Sequence, residues 1–346
     1  MLQSNTHSPI SSIGEFSLIK HLTDSTVLHP TNDTIKGVGD DAAVLEKNDS
    51  TYTLVTTDML LEGVHFDLSY CPLKHLGYKA AVVNFSDIYA MNGRPKYITI
   101  NIGISNRFSI EALEELYAGI HLACKEHEVD LVGGDTSSAR NGMVLSITCV
   151  GEVEKNKVSY RSGAKVNDLI IVTGDLGAAY LGLQILEREK AIFLENPNHQ
   201  PDLEPFHYII ERQLKPEARK DTIQFLDENN IIPTSMIDIS DGLSSELLHI
   251  CKASNVGAKI YENKIPLDIQ TQDVAHEWKL AAITAALSGG EDYELLFTVD
   301  QKYYEILKAN PAISIIGHIT EPTDGVYLVD NKEQFFEISA RGWTAF

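Results

Sequence analysis

Short acidic segments recur along the chain, and each places aspartate or glutamate beside glycine, serine or threonine. Carboxylate oxygens are ligands that Mg²⁺ accepts together with waters and substrate phosphates. A neighbouring glycine lets backbone N–H groups approach phosphate oxygens closely, because it has no Cβ. The pattern therefore favours a site that binds magnesium and phosphate groups. The five segments are residues 37–41, 56–58, 133–136, 238–242 and 288–292.

Asp87 is predicted to join these segments from a helix. At helical spacing it shares a face with Ala80, Asn84 and Met91, so it points along a largely apolar stripe. Each acidic segment taken alone can be explained as a tight turn next to a strand, because aspartate and glycine are common turn residues. The whole set is harder to explain in that way, since an unpaired buried carboxylate costs several kcal/mol. We therefore expect the aspartates to converge on one cation-filled crevice between two halves of the chain.

Sequence motifs of other common enzyme classes are missing. The chain has no G-x-x-x-x-G-K-[ST] phosphate-binding loop, no H-E-x-x-H zinc motif and no G-x-S-x-G nucleophile motif. Residues 37–42 match G-x-G-x-x-A in form, but two of them are acidic and would repel a pyrophosphate, and a strand is predicted to follow. The sequence therefore does not favour P-loop, zinc-protease, serine-hydrolase or dinucleotide chemistry.

The elements that must position these residues divide into two parts. The first part is predicted to be an α+β layer, in which Ser109 caps a helix whose first turns carry Glu111 and Glu115. Its predicted strands are residues 52–57, 97–104, 130–133 and 143–153, and its predicted helices are 73–91 and 109–127.

In the second part, which follows residues 154–157, a new alternation of strands and helices is predicted. Residues 193–206 are rich in proline, asparagine and acids, so an exposed loop is predicted there. We place the domain boundary between residues 153 and 154. The predicted strands are 168–173, 235–239, 293–299 and 313–316, and the predicted helices are 178–189, 216–228 and 241–253.

The charge balance limits the possible partners. The chain has 49 Asp and Glu against 28 Lys and Arg, a formal net charge of −21 at pH 7, which disfavours nucleic acid and anionic membranes. No stretch approaches the ~20 apolar residues of a spanning helix and no signal pattern opens the chain, so we expect a cytoplasmic protein. The four cysteines lie far apart without a C-x-x-C pair, which is typical of reduced, buried thiols.

Several blocks of the sequence, in order along nearly the whole chain, resemble the thiamine-monophosphate kinase family of the aminoimidazole-ribonucleotide-synthetase-like superfamily. The resemblance implies an N-terminal α+β domain, residues 1–153, that pairs with a second copy so that the two sheets form a shared barrel. It also implies a C-terminal α/β domain, residues 154–346, and an active-site groove between the domains. Residues 193–206 form a longer stretch than is usual in the family. The blocks are residues 14–16, 37–41, 56–58, 63–66, 84–93, 133–136, 161–164, 237–243 and 288–295.

The resemblance also implies roles for individual residues, with Asp58, Asp87 and Asp238 acting on catalysis through magnesium. Asp40 adjoins the implied ligand Asp41, and the pattern does not separate their roles. The implied magnesium ligands are Asp41, Thr56, Thr57, Asp58, Asp87, Asp135, Asp238 and Asp241. The implied ATP contacts are Tyr117, Gly134, Asp135, Arg161 and Ser240, and the implied contacts to thiamine monophosphate are His65, Glu291 and Trp343.

The implied reaction moves the terminal phosphoryl group of ATP to the phosphate of thiamine monophosphate, giving thiamine diphosphate and ADP. The acceptor phosphate has a second pKa of about 6, so it is ionised at neutral pH and needs no general base. Several Mg²⁺ ions would offset the repulsion between the two anions. Direct, in-line transfer without a phosphoenzyme is therefore expected.

Three alternatives remain open from the sequence. A selenophosphate synthetase of the same superfamily normally carries a reactive Cys and Lys near its N-terminus, whereas this chain has no Cys before Asp40. A hydrogenase-maturation dehydratase normally ends in a reactive cysteine, whereas this chain ends in Phe346. A non-catalytic, acidic protein that binds divalent ions would need the acids without the glycines and Arg161 that face ATP, and it should not bind a magnesium nucleotide.

Overall fold

The computed structural model describes residues 15–198 and 200–339, and the side chains from residue 17 onward. The first part of the chain forms a six-stranded sheet in the order β1-β2-β3-β6-β4-β5, in which only the β4–β5 pair is parallel. The strands are β1 (Thr34–Lys36), β2 (Ala43–Glu46), β3 (Thr51–Leu61), β4 (Arg94–Ile104), β5 (Asp130–Ser138) and β6 (Val144–Glu154).

Two long helices cover one face of this sheet. Helix α2 (Leu73–Ala90) and helix α3 (Ile110–His127) follow a short helix α1 (Glu15–Thr23), and the Ser109 side chain caps α3 by accepting a hydrogen bond from the Ala112 N–H. The two helices cross closely at glycine. A Cβ on Gly77 would lie 1.9 Å from the Leu116 carbonyl oxygen, so only glycine permits this approach.

Helix α2 is the most buried helix of the first part, because it lies between the two halves of the molecule. It packs on strands β3, β4 and β6 of the first sheet and on β8 (Ser235–Ile239) of the second part. Its residues from Leu76 to Ala90 are buried, apart from the half-buried Asp87. Burial on all sides is typical of a helix in such a central position, and here it includes the polar residues Lys79, Asn84 and Ser86.

The second part forms a seven-stranded sheet in the order β13-β12-β9-β11-β7-β10-β8. Its neighbouring strands are antiparallel except β9 and β12. Its other strands are β7 (Leu169–Thr173), β9 (Gly257–Tyr261), β10 (Glu294–Val299), β11 (Ile313–Thr320), β12 (Val326–Val329) and β13 (Phe335–Glu337). Its helices are α4 (Ala178–Glu195), α5 (His207–Leu214), α6 (Lys220–Glu228), α7 (Leu243–Ser254), α8 (Ile269–Glu277), α9 (Ala282–Ser288) and α10 (Tyr304–Lys308).

Two segments that were predicted as turns lie inside strands, namely β3 and β5. Residues 56–58 lie inside β3, because β3 pairs with β6 along its full length from Thr51 to Leu61. Residues 133–136 lie inside β5, because pairing with β4 continues to Ser138. The backbone partners in the sheet, which lie far away in sequence, outweigh the local turn preference of glycine and aspartate.

Two helix boundaries also differ from the predictions. Helix α4 continues to Glu195, so residues 193–195 are helical and the predicted loop is shorter. Helix α6 begins at Lys220 and not at residue 216. Five short strands lack a clear alternating pattern in the sequence: β1, β2, β9, β12 and β13. Of these, only β2 was expected, and it confirms the strand predicted to follow residue 42. Among the described residues, no helix is both long and apolar enough to span a bilayer.

Candidate active site

A cavity of about 920 Å³ lies between α2 with the first sheet and the β8–α7 and α4 region of the second part. Its walls carry acids from several separate stretches of the chain. The end of β8 supplies Asp238, α2 supplies Asp87 and β3 supplies Asp58. The predicted site residues that line it are Asp41, Thr56, Thr57, Asp58, His65, Asp87, Arg161, Asp238, Ser240, Asp241 and Glu291.

Three of the aspartates form a tight cluster. One carboxylate oxygen from each of Asp41, Asp87 and Asp238 lies within 4.8 Å of the others. These residues are far apart in sequence, and α2 brings Asp87 to the end of β8 because it packs directly on that strand. Oxygen atoms at this spacing could share a hard divalent cation.

Hydroxyl groups orient two of the clustered carboxylates. The Thr56 hydroxyl donates a hydrogen bond to Asp87 Oδ2, and the Ser86 hydroxyl donates to Asp238 Oδ2 over 2.7 Å. Nearby, the Asn84 amide oxygen accepts the backbone N–H of Asp58 over 3.1 Å. The sequence analysis gave Ser86 no role. Its position next to Asp87 on α2 was the signal that could have identified it as a site residue.

Burial and mutual repulsion resist ionisation of the clustered acids. Burial raises the pKa of Asp41 to about 7, and it raises the pKa values of Asp58 and Asp238 to about 6. Burial also raises the pKa of Asp87 well above its ordinary value, and the charges of Asp58 and Asp238 raise it further. Protons therefore compete with any metal ion for the oxygens of Asp41, Asp58 and Asp238 near neutral pH.

The oxygens of the cluster fit a divalent cation. Arg161 donates to Asp41 Oδ1 from Nε over 3.1 Å and from Nη2 over 2.6 Å. Asp41 Oδ2 is buried and has no hydrogen-bond partner within the described chain, so it retains free lone pairs. The carboxylates and the Thr56 hydroxyl form the hard oxygen donor set that suits Mg²⁺.

Asp40 and Asp41 have different environments. Asp40 Oδ1 accepts the backbone N–H of Arg161 over 3.0 Å, and its Oδ2 lies 3.8 Å from Lys36 Nζ. Asp41 lines the cavity and belongs to the three-aspartate cluster. Of the two adjacent acids, Asp41 is therefore the one placed to bind a cation, and Asp40 anchors the segment that contains Arg161.

Glu246 is a further buried acid that the sequence prediction missed. Its Oε1 accepts the backbone N–H of Asp241 over 3.1 Å, and burial raises its pKa well above the ordinary value. Its Oε2 is buried without a partner among the described residues. Its position on the first turn of α7, directly after the 238–242 segment, was the signal that could have identified it.

The wall of the cavity also carries aromatic side chains. His65 Nδ1 accepts the backbone N–H of Leu61 over 3.0 Å, which fixes the imidazole ring at the cavity wall. Phe66, Tyr70 and Tyr180 line the same region. Aromatic rings beside carboxylates can recognise a flat cationic group.

Polar contacts join the β3–α2 segment to α4 along the cavity wall. The Tyr70 hydroxyl donates to Glu187 Oε1 over 2.6 Å, and Lys190 Nζ lies 2.7 Å from Asp67 Oδ2 and 5.7 Å from the centre of the Tyr70 ring. All four residues line the cavity. The first part and α4 are therefore joined at the cavity by two side-chain contacts, Tyr70 with Glu187 and Asp67 with Lys190.

Several predicted site residues lie elsewhere. Gly134 and Asp135 are exposed on β5, Tyr117 is half-buried on α3 beside His121, and none of the three lines the cavity. The Thr57 hydroxyl donates to the Ile147 carbonyl over 3.0 Å, so it is engaged within the sheet although Thr57 borders the cavity. The other predicted residue, Trp343, lies outside the described residues.

A second cavity, of about 380 Å³, lies on another part of the surface, where β4 meets α6. Its cations Arg94 and Lys220 are paired with Asp227 and Glu128, which also line it. Acidic and basic side chains are balanced in this cavity, whereas the larger cavity is distinguished by its carboxylate cluster.

Both domains match one protein family. Residues 39–153 match the model of AIR synthase related protein, N-terminal domain, and residues 165–330 match AIR synthase related protein, C-terminal domain. The thiamine-monophosphate kinase of Bacillus subtilis (strain 168) is 34% identical over 337 residues, which cover 96% of this chain and 99% of that protein. The thiamine-monophosphate kinase of Escherichia coli (strain K12) is 36% identical over 326 residues, which cover 92% and 94%.

A solved structure, AaThiL complexed with AMPPCP and TMP, superposes with a TM-score of 0.81 at 31% identity, covering 99% of this chain and 100% of that chain. Similarity of this extent includes both domains and the cavity between them. The chain therefore belongs to the thiamine-monophosphate kinase family, a family of enzymes with the AIR synthase-related two-domain fold.

Proposed function

We propose that this enzyme phosphorylates thiamine monophosphate with ATP to give thiamine diphosphate and ADP. The observation that carries the proposal is the cluster of Asp41, Asp87 and Asp238 inside a cavity large enough for both substrates. The names of the curated relatives and the AMPPCP and TMP held by the structural relative support the same reaction.

The aspartates of the cavity are proposed to hold several magnesium ions. Asp41 Oδ2, which is buried and unpartnered within the described chain, supports this role most directly. When bound, Mg²⁺ would offset the negative charges of the two phosphate groups and the charge that develops during transfer. The proposed ligands of this chain are Asp41, Thr56, Thr57, Asp58, Asp87, Asp238 and Asp241.

No general base is assigned, because the acceptor phosphate is itself ionised at neutral pH. The residues of the cavity would act by orienting the two substrates for direct, in-line transfer. Arg161 and Ser240 lie near the aspartates and are proposed to contact ATP. His65 and Glu291 line the cavity and are proposed to contact thiamine monophosphate, as is Trp343.

The remaining predicted ligands are proposed to come from a second copy of the chain. In one row of the first sheet, Asp58 lies opposite Ile147, Ile147 opposite Ile100, and Ile100 opposite Gly134. Three strand spacings separate Asp58 from Gly134 by about 14 Å, which is too far for Asp135 to share an ion with Asp58 in one subunit. A homodimer through domain 1–153 would let Gly134, Asp135 and Tyr117 complete the partner's site.

Incubation of the pure protein with ATP, magnesium and thiamine monophosphate tests this function, with chromatography to detect thiamine diphosphate. Formation of one thiamine diphosphate per ADP is expected. Release of ADP without thiamine diphosphate would disprove the assignment. An acid quench after incubation with γ-labelled ATP tests the in-line mechanism, because stoichiometric label retained on the protein would indicate a phosphoenzyme. The cytoplasmic location stays a prediction.

A further inference from the structure

A buried lysine pairs with Glu291, one of the acids that line the cavity. The Lys79 side chain on α2 is 3% exposed, and its Nζ forms an ion pair with Glu291 Oε2. Nζ also donates to the Gln213 carbonyl oxygen over 3.0 Å, and the Gln213 side-chain Nε2 donates to the same Glu291 Oε2 over 3.1 Å. One carboxylate oxygen is therefore held by two donors from two different elements.

The backbone at Glu291 is held as firmly as its side chain. Glu291 has a left-handed φ of 64°, follows Gly290 with a φ of 73°, and donates its N–H to the Ser240 carbonyl over 2.7 Å. A left-handed conformation in a residue with a side chain costs of order 1–3 kcal/mol and persists where the surroundings enforce it. The chain thus maintains a strained position that turns the Glu291 carboxylate, 27% exposed, toward the cavity.

Stability alone does not account for this ion pair. Burying a lysine has a desolvation cost, and the attraction in a buried salt bridge often only offsets that cost. Replacing a buried ion pair with apolar side chains is therefore often neutral or stabilising by ~1–4 kcal/mol. Lys79 is buried on a helix that is itself buried on most sides, so an apolar side chain at this position would avoid the desolvation cost. The pair is better explained by an orienting role.

We propose that Lys79, assisted by Gln213, is a positioning residue that fixes the Glu291 carboxylate so that it can bind the cationic, N–H-donating organic part of the acceptor substrate. The inference rests on the proposed function and extends it to Lys79, which lies behind the cavity wall, and to Gln213, which lines the cavity together with Glu291. With Oε2 held by Lys79 and Gln213, the rest of the carboxylate faces the cavity in one orientation. A fixed orientation lowers the ordering cost of substrate binding.

Steady-state kinetics of Lys79→Met, Lys79→Arg and Gln213→Leu test the proposal, with Lys74→Met as the matched control. Lys74 is exposed on the same helix. In Lys79→Met we expect the KM for thiamine monophosphate to rise about tenfold or more, with kcat and the KM for ATP changed by less than about threefold. Lys79→Arg should recover part of the loss, Gln213→Leu should show a smaller rise, and Lys74→Met should match the wild type.

A double-mutant cycle with Glu291→Gln shows whether Lys79 acts through Glu291. Lys79→Met should add almost nothing to the KM of a protein that already carries Glu291→Gln. Additive effects, a KM within twofold of wild type in a folded Lys79→Met protein, or an equal rise in both KM values would overturn the proposal. If Lys79→Met does not fold, the cycle is run with Gln213→Leu under the same criteria.

The proposed function and the positioning role of Lys79 can be disproved separately. An inactive wild-type protein that binds no thiamine monophosphate in a calorimetric titration would overturn the proposed function together with this inference. An active wild type whose Lys79→Met and Gln213→Leu variants titrate with unchanged affinity would overturn the inference alone.

Discussion

At the scale of single residues, the aspartate cluster concentrates negative charge that either protons or a cation could neutralise. Asp41, Asp87 and Asp238 approach within 4.8 Å, and Arg161 neutralises only one of them by direct contact. Like charges at this distance in a buried site raise one another's pKa values. Protons and a cation would therefore compete for these oxygens, so the proposed metal binding should depend on pH.

Asp87→Asn tests the role of the central carboxylate. We expect a loss of activity of about a hundredfold or more, and a much smaller rise in melting temperature on adding Mg²⁺, because one ligand charge is gone. Calorimetry with and without Mg²⁺ measures the second effect independently of activity. Asp49→Asn, an exposed site far from the cavity, is the control. Near wild-type activity of Asp87→Asn at saturating magnesium would remove Asp87 from the metal site.

The pKa shifts also predict how stability depends on pH. The pKa of Asp58, raised by burial to about 6, exceeds the ~3.9 of an unfolded aspartate. Between these values the native state binds more protons, so the stability linked to this group is present below about pH 4 and lost as pH rises through about 6. In EDTA, the melting temperature should fall from about pH 5 to pH 8 more steeply in wild type than in Asp58→Asn. Equal slopes would contradict this.

At the scale of elements, helix α2 positions most of the site. It carries Lys79, Asn84, Ser86 and Asp87, and its burial between both sheets prevents it from adjusting freely. Its crossing with α3 depends on two glycines, since a Cβ on Gly119 would lie 1.9 Å from the Lys74 carbonyl oxygen. The geometry of the cavity therefore depends on a helix contact that is remote from the substrates.

Gly77→Ala tests that dependence. The new methyl group would lie 1.9 Å from the Leu116 carbonyl oxygen, so the helices must separate, and we expect a loss of about 1–3 kcal/mol in the free energy of unfolding. Gly103→Ala, whose Cβ would meet nothing closer than 3.4 Å, is the matched control. Denaturant titration of both variants measures the difference. Equal stability of the two would show that the crossing accommodates a side chain.

At the scale of the whole molecule, the first sheet leaves one face and one edge uncovered. Met59, Tyr97 and Val132 on β3, β4 and β5 are 54%, 43% and 58% exposed. Strand β5 is exposed along almost its whole length and, among the residues that the structure describes, pairs with β4 alone. An uncovered edge and exposed apolar side chains are features of a surface that pairs with another chain.

Subunit mixing tests the shared site. We expect a solution mass of twice 38.3 kDa. If Asp135 serves the partner's site, mixing inactive Asp87→Asn and Asp135→Asn chains after reversible dissociation should restore up to about a quarter of wild-type activity, since half of the dimers are mixed and each has one intact site. A monomer in light scattering, or no recovery in confirmed mixed dimers, would contradict the proposed arrangement.

The sequence alone was enough to predict what depends on local pattern. Ser109 as a helix cap, the long helices α2 and α3, and the two-part architecture follow from periodicity and capping, which act over a few residues. The family resemblance was confirmed by the comparisons along nearly the whole chain. The residue types of the acidic segments were sufficient to indicate oxygen-ligand chemistry.

The tertiary structure decided which of those residues meet. Strand order separates Asp135 from Asp58, whereas packing of α2 on β8 brings Asp87 to Asp238, and neither fact is visible in local spacing. Lys79 could not be identified from the sequence, because its burial depends on neighbours far away in the chain, whereas Glu246 had a local signal in its position directly after residues 238–242. Convergence and burial arise from long-range pairing and packing, so a pattern of a few residues cannot determine them.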